Sequence, residues 1–148
     1  MNRPTASAND DSSPNANPLR CFRTNIRVNY HETDGQQRVH HGNYTHYFER
    51  GRVEMLRAGG ISYKQLEQDG KLLVVTEMNI SYHSAAEFDD LLTLTTETIE
   101  VRKVRIRHRY ALHRGEELIV QAHSTIACVN SEGKPSRLPK EFLALQLD

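Results

Sequence analysis

The sequence predicts an α+β domain in which an antiparallel sheet of about five strands wraps around one long helix. Three observations predict it. Residues Asn43 to Ala58 carry apolar side chains at helical spacing throughout. The four segments after that helical stretch read as strands joined by short turns, which means an antiparallel meander rather than βαβ winding. The chain's 148 residues fit one domain, since single domains typically run about 100–200 residues.

Residues 1–18 hold three of the five prolines and no apolar side chain larger than alanine after Met1. Nothing there offsets the entropy of ordering, so a disordered tail over 1–18 and a folded domain over 19–148 are expected. The tail lacks the apolar centre of a secretory signal and the Arg-rich character of a transit peptide, so a cytoplasmic location is expected. Phe22, Ile26, Val28 and Tyr30 share one parity, as in a half-buried strand. Residues 31–43 are polar and turn-rich. In the helix, Tyr44, Tyr47, Phe48, Gly51, Met55 and Ala58 form one stripe. Gly51 costs the helix about 1 kcal/mol against alanine, which predicts close approach of the helix backbone to the sheet. Gly59 and Gly60 end it, because glycine takes the left-handed cap conformation without strain.

A short second helix is expected over about Ser62 to Gln68. Strands follow at Leu72 to Tyr82, with Met78, Ile80 and Tyr82 inward, and at Leu91 to Val101, whose parity shifts partway as a bulge would cause. Val104, Ile106, His108, Tyr110 and Leu112 then alternate with Arg105, Arg107 and Arg109. A last strand runs from Leu118 to Asn130, after a turn at His113 to Glu116.

Charge and composition exclude several classes. The 19 basic and 19 acidic side chains cancel, leaving no electrostatic footprint for nucleic acid. The longest apolar run, Leu72 to Val75, is far short of the roughly 18–20 residues of a membrane-spanning helix. Cys21 and Cys128 lack CxxC spacing and are expected as two buried free thiols. No G-x-S-x-G or phosphate-loop motif occurs. The apolar fraction of 37% is modest for a chain of this size, so completion of the core by a second copy is expected.

The ionisable groups concentrate in one loop: His31, Glu32, Asp34, Arg38, His40 and His41. Asp34 lies seven positions before His41, where the helix begins. A helix start presents unpaired N–H groups and partial positive charge, a natural pocket for a carbonyl oxygen or oxyanion. A carboxylate just upstream can attack the same carbon or deprotonate a water that does. Asp34 has a second reading as a turn or capping residue, and His41 as a surface histidine whose backbone rather than ring matters. The histidines and acids lack H-E-x-x-H spacing, so no metal and no cofactor are expected.

Tyr30-His-Glu-Thr-Asp34-Gly-Gln-Gln-Arg-Val-His-His41-Gly-Asn43-Tyr44, followed by Phe48-Glu-Arg-Gly-Arg52-Val-Glu54, resembles the signature of hotdog-fold acyl-CoA thioesterases of the 4-hydroxybenzoyl-CoA thioesterase type. That signature reads Y-x-D-T-D-x-x-G-V-V-Y-H-x-N-Y and then F-E-R-x-R-x-E. The likeness continues through Tyr82 to Leu91 and ends at Gly133-Lys-Pro135 and Leu138-Pro139, covering about residues 20–140. The resemblance implies a hotdog fold and hydrolysis of an acyl-CoA thioester. It also implies homodimers joined sheet edge to edge, often paired into tetramers, with active sites at the dimer interface.

By the same resemblance Asp34 is the nucleophile or general base, and a backbone N–H near His41 polarises the thioester carbonyl. Tyr30 orients the site and Asn43 serves the helix start or the substrate. The resemblance fixes no coenzyme A contact on this row: Arg102, Lys103 and Arg105 are most simply part of a solvated strand face, and their second reading is as ligands of the coenzyme A phosphates, which suit guanidinium forks. Two departures stand out. Glu32 replaces an aspartate, and Gln36-Gln37-Arg38 replaces a Gly-containing turn, where glutamine in a left-handed conformation is strained. Two further functions remain open: a non-catalytic acyl-CoA or acyl-carrier binding module, and a hotdog hydratase, which the Asp34–His41 spacing disfavours.

Overall fold

Five strands, β1 (Cys21–Arg27), β2 (Leu72–Tyr82), β3 (Leu91–Val101), β4 (Arg105–Arg114) and β5 (Glu117–Val129), form one sheet in the order β1-β3-β4-β5-β2. Every neighbouring pair is antiparallel. The helices are α1 (Asn43–Ala58), α2 (Tyr63–Gln68) and α3 (Lys140–Leu143). This computed structural model describes residues 17–145, so the tail expected over 1–18 lies almost wholly outside the described residues.

The sheet curls over α1, which packs on β1 and β3 through Tyr44, Tyr47, Phe48, Gly51, Met55 and Leu56. Facing them are Ile26, Leu92, Leu94, Ile106, Tyr110 and Leu112, all buried. The close approach predicted at Gly51 is present: an added Cβ would lie 2.6 Å from both Leu94 Cδ2 and Thr96 Oγ1. Gly60 ends the helix at φ +85°. The bulge expected in β3 falls between Thr98 and Glu100.

His108 occupies an inward position of β4 and is 3% exposed, with neither ring nitrogen bonded among the described residues. It borders a cavity of about 30 Å³ shared with Arg52, Tyr63, Leu73 and Phe142. Burial, with the Arg52 charge a smaller cause, pushes its pKa down to about 3.

Three expectations are corrected. β1 ends at Arg27, so Tyr30 is not an inward strand residue; it opens a short 3-10 turn, Tyr30–Glu32, and is 75% exposed. Cys21 is exposed, because β1 places it on the outward parity, while Cys128 is buried as expected. Tyr82 is half-exposed at the end of β2, where the sheet has left the helix. β2 pairs on one side only and carries Val74 and Val75 at 37% and 46% exposure. Among the described residues no helix is long and apolar enough to cross a membrane.

Candidate active site

The loop between β1 and α1 is fixed at both ends before any functional group is considered. Glu32 does most of this. Its Oε1 accepts from Asn29 N–H at 2.8 Å and from Tyr47 hydroxyl at 2.7 Å. Its carbonyl accepts from His40 N–H and from Asn43 Nδ2. Burial first, and then the bond to Glu32, raise the Tyr47 pKa, so that phenol stays a donor. The loop also docks on the β2–β3 connection, where Val39 N–H donates to Ala86 carbonyl at 2.8 Å and Tyr30 sits edge-on to Phe88.

Residues 33–39 form a miniature hairpin, with Thr33 bridged to Val39 and Asp34 N–H donating to Arg38 carbonyl. Gln37 N–H donates to Asp34 carbonyl, closing a four-residue turn with Asp34 at its first position. Asp34 Oδ1 accepts from Gln36 N–H at 2.9 Å and Arg38 N–H at 3.4 Å, the side-chain turn that aspartate favours. The bond from Gln36, chief among several causes, holds the carboxyl below its usual range, so Asp34 is ionised at neutral pH. Gln37 then takes φ +67°, the left-handed conformation that usually falls to glycine after such a turn. The strain anticipated from Gln36-Gln37-Arg38 is therefore located at Gln37.

At the start of α1, His40 carbonyl accepts from Asn43 N–H at 2.9 Å. In a trans peptide C=O and N–H point in opposite directions, so the following N–H, that of His41, is aimed away from the helix. Among the described residues it has no acceptor. The His41 ring stacks on His40 and meets Tyr82 edge-on, while Tyr82 hydroxyl lies 3.4 Å from His41 carbonyl. His41 and Tyr82, with Arg38, Val39, Tyr44 and Ser84, line an open cleft of about 320 Å³.

The structure thus brings His41 and Asn43 together at the helix start, with Asp34 in the adjoining turn on the exposed side of the loop and outside the cleft lining. Tyr30 also lies outside it, against Phe88. Arg102, Lys103 and Arg105 are elsewhere. Arg102 and Lys103 lie in the β3–β4 turn and Arg105 begins β4, whereas the Asp34 loop follows Arg27, which pairs with Leu91 at the opposite end of β3. Eleven residues of strand, roughly 35 Å, separate the two groups within one protomer. Arg102 pairs with Glu100 at 2.6 Å, and that carboxyl is held low chiefly by this bond. Tyr82 and Arg38 were missed as cleft residues. The signal was the polar His-Ser that follows Tyr82, which marks it as the end of its strand. No cluster of three or more His, Cys, Asp or Glu among the described residues is arranged to hold a metal.

The family model of the thioesterase superfamily matches residues 36–121. The chain belongs to the thioesterase superfamily. It is 37% identical over 121 residues to an acyl-CoA thioesterase, YbgC, of Haemophilus influenzae, covering 80% of this chain and 89% of that protein. It is 33% identical over 125 residues to an acyl-CoA thioester hydrolase, YbgC, of Escherichia coli, covering 83% and 93%. The crystal structure of a "probable thioesterase" from Bartonella henselae superposes with a TM-score of 0.77 at 35% identity, over 80% of this chain and 99% of that one. The hotdog architecture expected from the sequence is the architecture of the molecule.

Proposed function

We propose that this thioesterase-superfamily protein hydrolyses an acyl-CoA thioester to the free acid and coenzyme A. The single observation that carries the reading is the His41 N–H at the start of α1, without an acceptor among the described residues, on a residue that lines the cleft. The thioester carbonyl oxygen accepts from this N–H, with the helix dipole behind it. Asp34, ionised in the turn just outside the cleft lining of one protomer, is the group proposed to reach the carbonyl carbon from that side, as nucleophile or by taking a proton from the water that attacks. A backbone donor of this kind is worth about 3–4 kcal/mol and a placed acid–base group about 10²–10⁴-fold in rate. The acyl-CoA activity of the YbgC relatives supports the choice of thioester.

The working unit is a homodimer. The open edge of β2, with Val74, Val75 and Tyr82 exposed, accepts the β2 of a second copy and so loses its unpaired groups to the sheet. A two-fold antiparallel pairing of β2 strands sets the Leu72 end of one copy beside the Tyr82 end of the other. Because Leu72 lies at the same end as Arg105, the basic turn of one copy then faces the same way as the Asp34 loop of its partner. Arg102, Lys103 and Arg105 are proposed to meet coenzyme A phosphates in that assembly, which pairs further into a tetramer. The protein is proposed to act in the cytoplasm, as one domain over 19–148.

One observation favours a second reading, a non-catalytic acyl-CoA or acyl-carrier binding module: Asp34 Oδ1 is already engaged within its own turn. A thiol-release screen over aromatic and aliphatic acyl-CoAs separates them. Hydrolysis predicts steady release from at least one class; saturable binding of acyl-CoA with no release would establish the binding module instead.

A further inference from the structure

The proposed carbonyl-binding N–H belongs to the peptide between His40 and His41. The next peptide, between His41 and Gly42, offers a second N–H only one residue away. That donor is already taken. Gly42 N–H donates to His40 Nδ1 at 3.0 Å, so the neutral ring carries its proton on Nε2. The same ring stacks on His41, with centroids 4.2 Å apart and planes inclined by 27°. His40 is also tied through its backbone, donating to Glu32 carbonyl at 3.0 Å and accepting from Asn43 N–H at 2.9 Å. One residue thus grips the turn on both sides of His41.

We infer that His40 is a positioning residue for thioester hydrolysis: its Nδ1 occupies the Gly42 N–H and so holds the His41 N–H as the one donor presented to the substrate carbonyl. The inference rests on the proposed hydrolase reading and deepens it. Without the ring acceptor, the His41–Gly42 peptide keeps only the long 3.4 Å bonds that its carbonyl accepts from Tyr44 N–H and Tyr82 hydroxyl, and the unpaired Gly42 N–H competes with His41 N–H for the carbonyl oxygen or for water. Donors aimed at a developing charge work because they are fixed before the reaction. Misplacement by a fraction of an ångström is enough to cost rate. Gly42 fits the same account. A Cβ there would lie 3.3 Å from His40 Nδ1, tight enough that the ring must shift by a few tenths of an ångström and loosen its bond.

The test uses the full chain and the four variants His40→Ala, His40→Asn, His40→Gln and Gly42→Ala. Asparagine places its Oδ1 where histidine has Nδ1, while glutamine carries its oxygen one bond further out, near the Nε2 position. With the best acyl-CoA of the screen, His40→Ala, His40→Gln and Gly42→Ala are expected to lose about tenfold in kcat with KM within about twofold. His40→Asn is expected to stay within about twofold of the parent in both. Hydrogen exchange at the Gly42 amide, read by NMR, is expected to be slowed in the parent and in His40→Asn and fast in His40→Ala and His40→Gln. Thermal unfolding within a few degrees of the parent certifies that each variant is folded.

Equal kcat for the parent and a folded His40→Ala overturns the inference while leaving the hydrolase reading intact. So does failure of His40→Asn to restore kcat. A parent that releases no thiol from any acyl-CoA sinks the hydrolase reading, and the inferred catalytic role falls with it. The Gly42 amide still decides whether the bond itself exists. An amide that exchanges equally fast in the parent and in His40→Ala overturns the geometry.

Discussion

His108 gives the stability of this fold a pH dependence whose sign follows from its burial. Its imidazole is enclosed on the inner face of β4 and stays neutral until about pH 3, by burial first and by the Arg52 charge second. The same side chain in the unfolded chain titrates near its ordinary value of about 6.5. Below that value the unfolded chain takes up a proton that the folded chain refuses, so stability is present above about pH 6.5 and is lost as pH falls. From pH 7 to pH 5 the loss from this one group amounts to about 2 kcal/mol. Any folded value below about 4 gives the same figure, because the folded ring stays neutral across the interval.

The perturbation that isolates it is His108→Leu, which keeps an apolar side chain of similar bulk and cannot be charged. Urea unfolding at pH 7 and pH 5 is the assay. The parent is expected to lose about 2 kcal/mol more than the variant between the two conditions. Asp34, Glu100 and Glu117, whose carboxyls lie below their usual range, weaken both chains alike on acidification and cancel in the difference. Equal losses in parent and variant would refute the placement of a neutral histidine in the core.

Other perturbations probe the helix seat and the site loop. Gly51→Ala gains about 1 kcal/mol of helix propensity but drives a methyl group to 2.6 Å from Leu94 and Thr96. Overpacking of about 1–3 kcal/mol outweighs the gain, so the melting temperature is expected to fall by a few degrees; a rise would mean that β3 yields easily. Gln37→Gly relieves the φ of +67° and is expected to raise thermal stability by up to about 1 kcal/mol. Gln36→Gly, at a position without positive φ, is expected to lower it; identical responses at the two positions would contradict the turn geometry.

The legible parts of the fold were those where one physical requirement writes one pattern. The α1 stripe and Gly51 announce a helix pressed on a sheet, and both ends of the helix fall where the sequence placed them. The alternation Ile106, His108, Tyr110, Leu112 names the inner face of β4 because each of these residues is enclosed. Tyr30 and Tyr82 were misread for a shared reason. Parity says which side of a strand a residue occupies, not where the strand ends or stops covering the core. The family signature placed Asp34, His41 and Asn43 in one loop; the structure has His41 and Asn43 at the head of α1 and Asp34 in the adjoining turn, exposed and outside the cleft lining. It carried no information on Arg102, Lys103 and Arg105, whose distance from Asp34 is set by the length of β3. Nor did it reveal that Asp34 closes its own turn, since that depends on the backbone of Gln36 and Arg38 rather than on any side chain.

Asp34→Asn is the most direct measurement of the mechanism. Asparagine forms the same side-chain turn as aspartate, so the loop and the His41 N–H keep their places while the anionic oxygen is removed. Steady-state thiol release from the preferred acyl-CoA should show kcat reduced by at least about 100-fold, with an unchanged melting temperature. A folded Asp34→Asn protein that retains near-parental kcat would contradict the account.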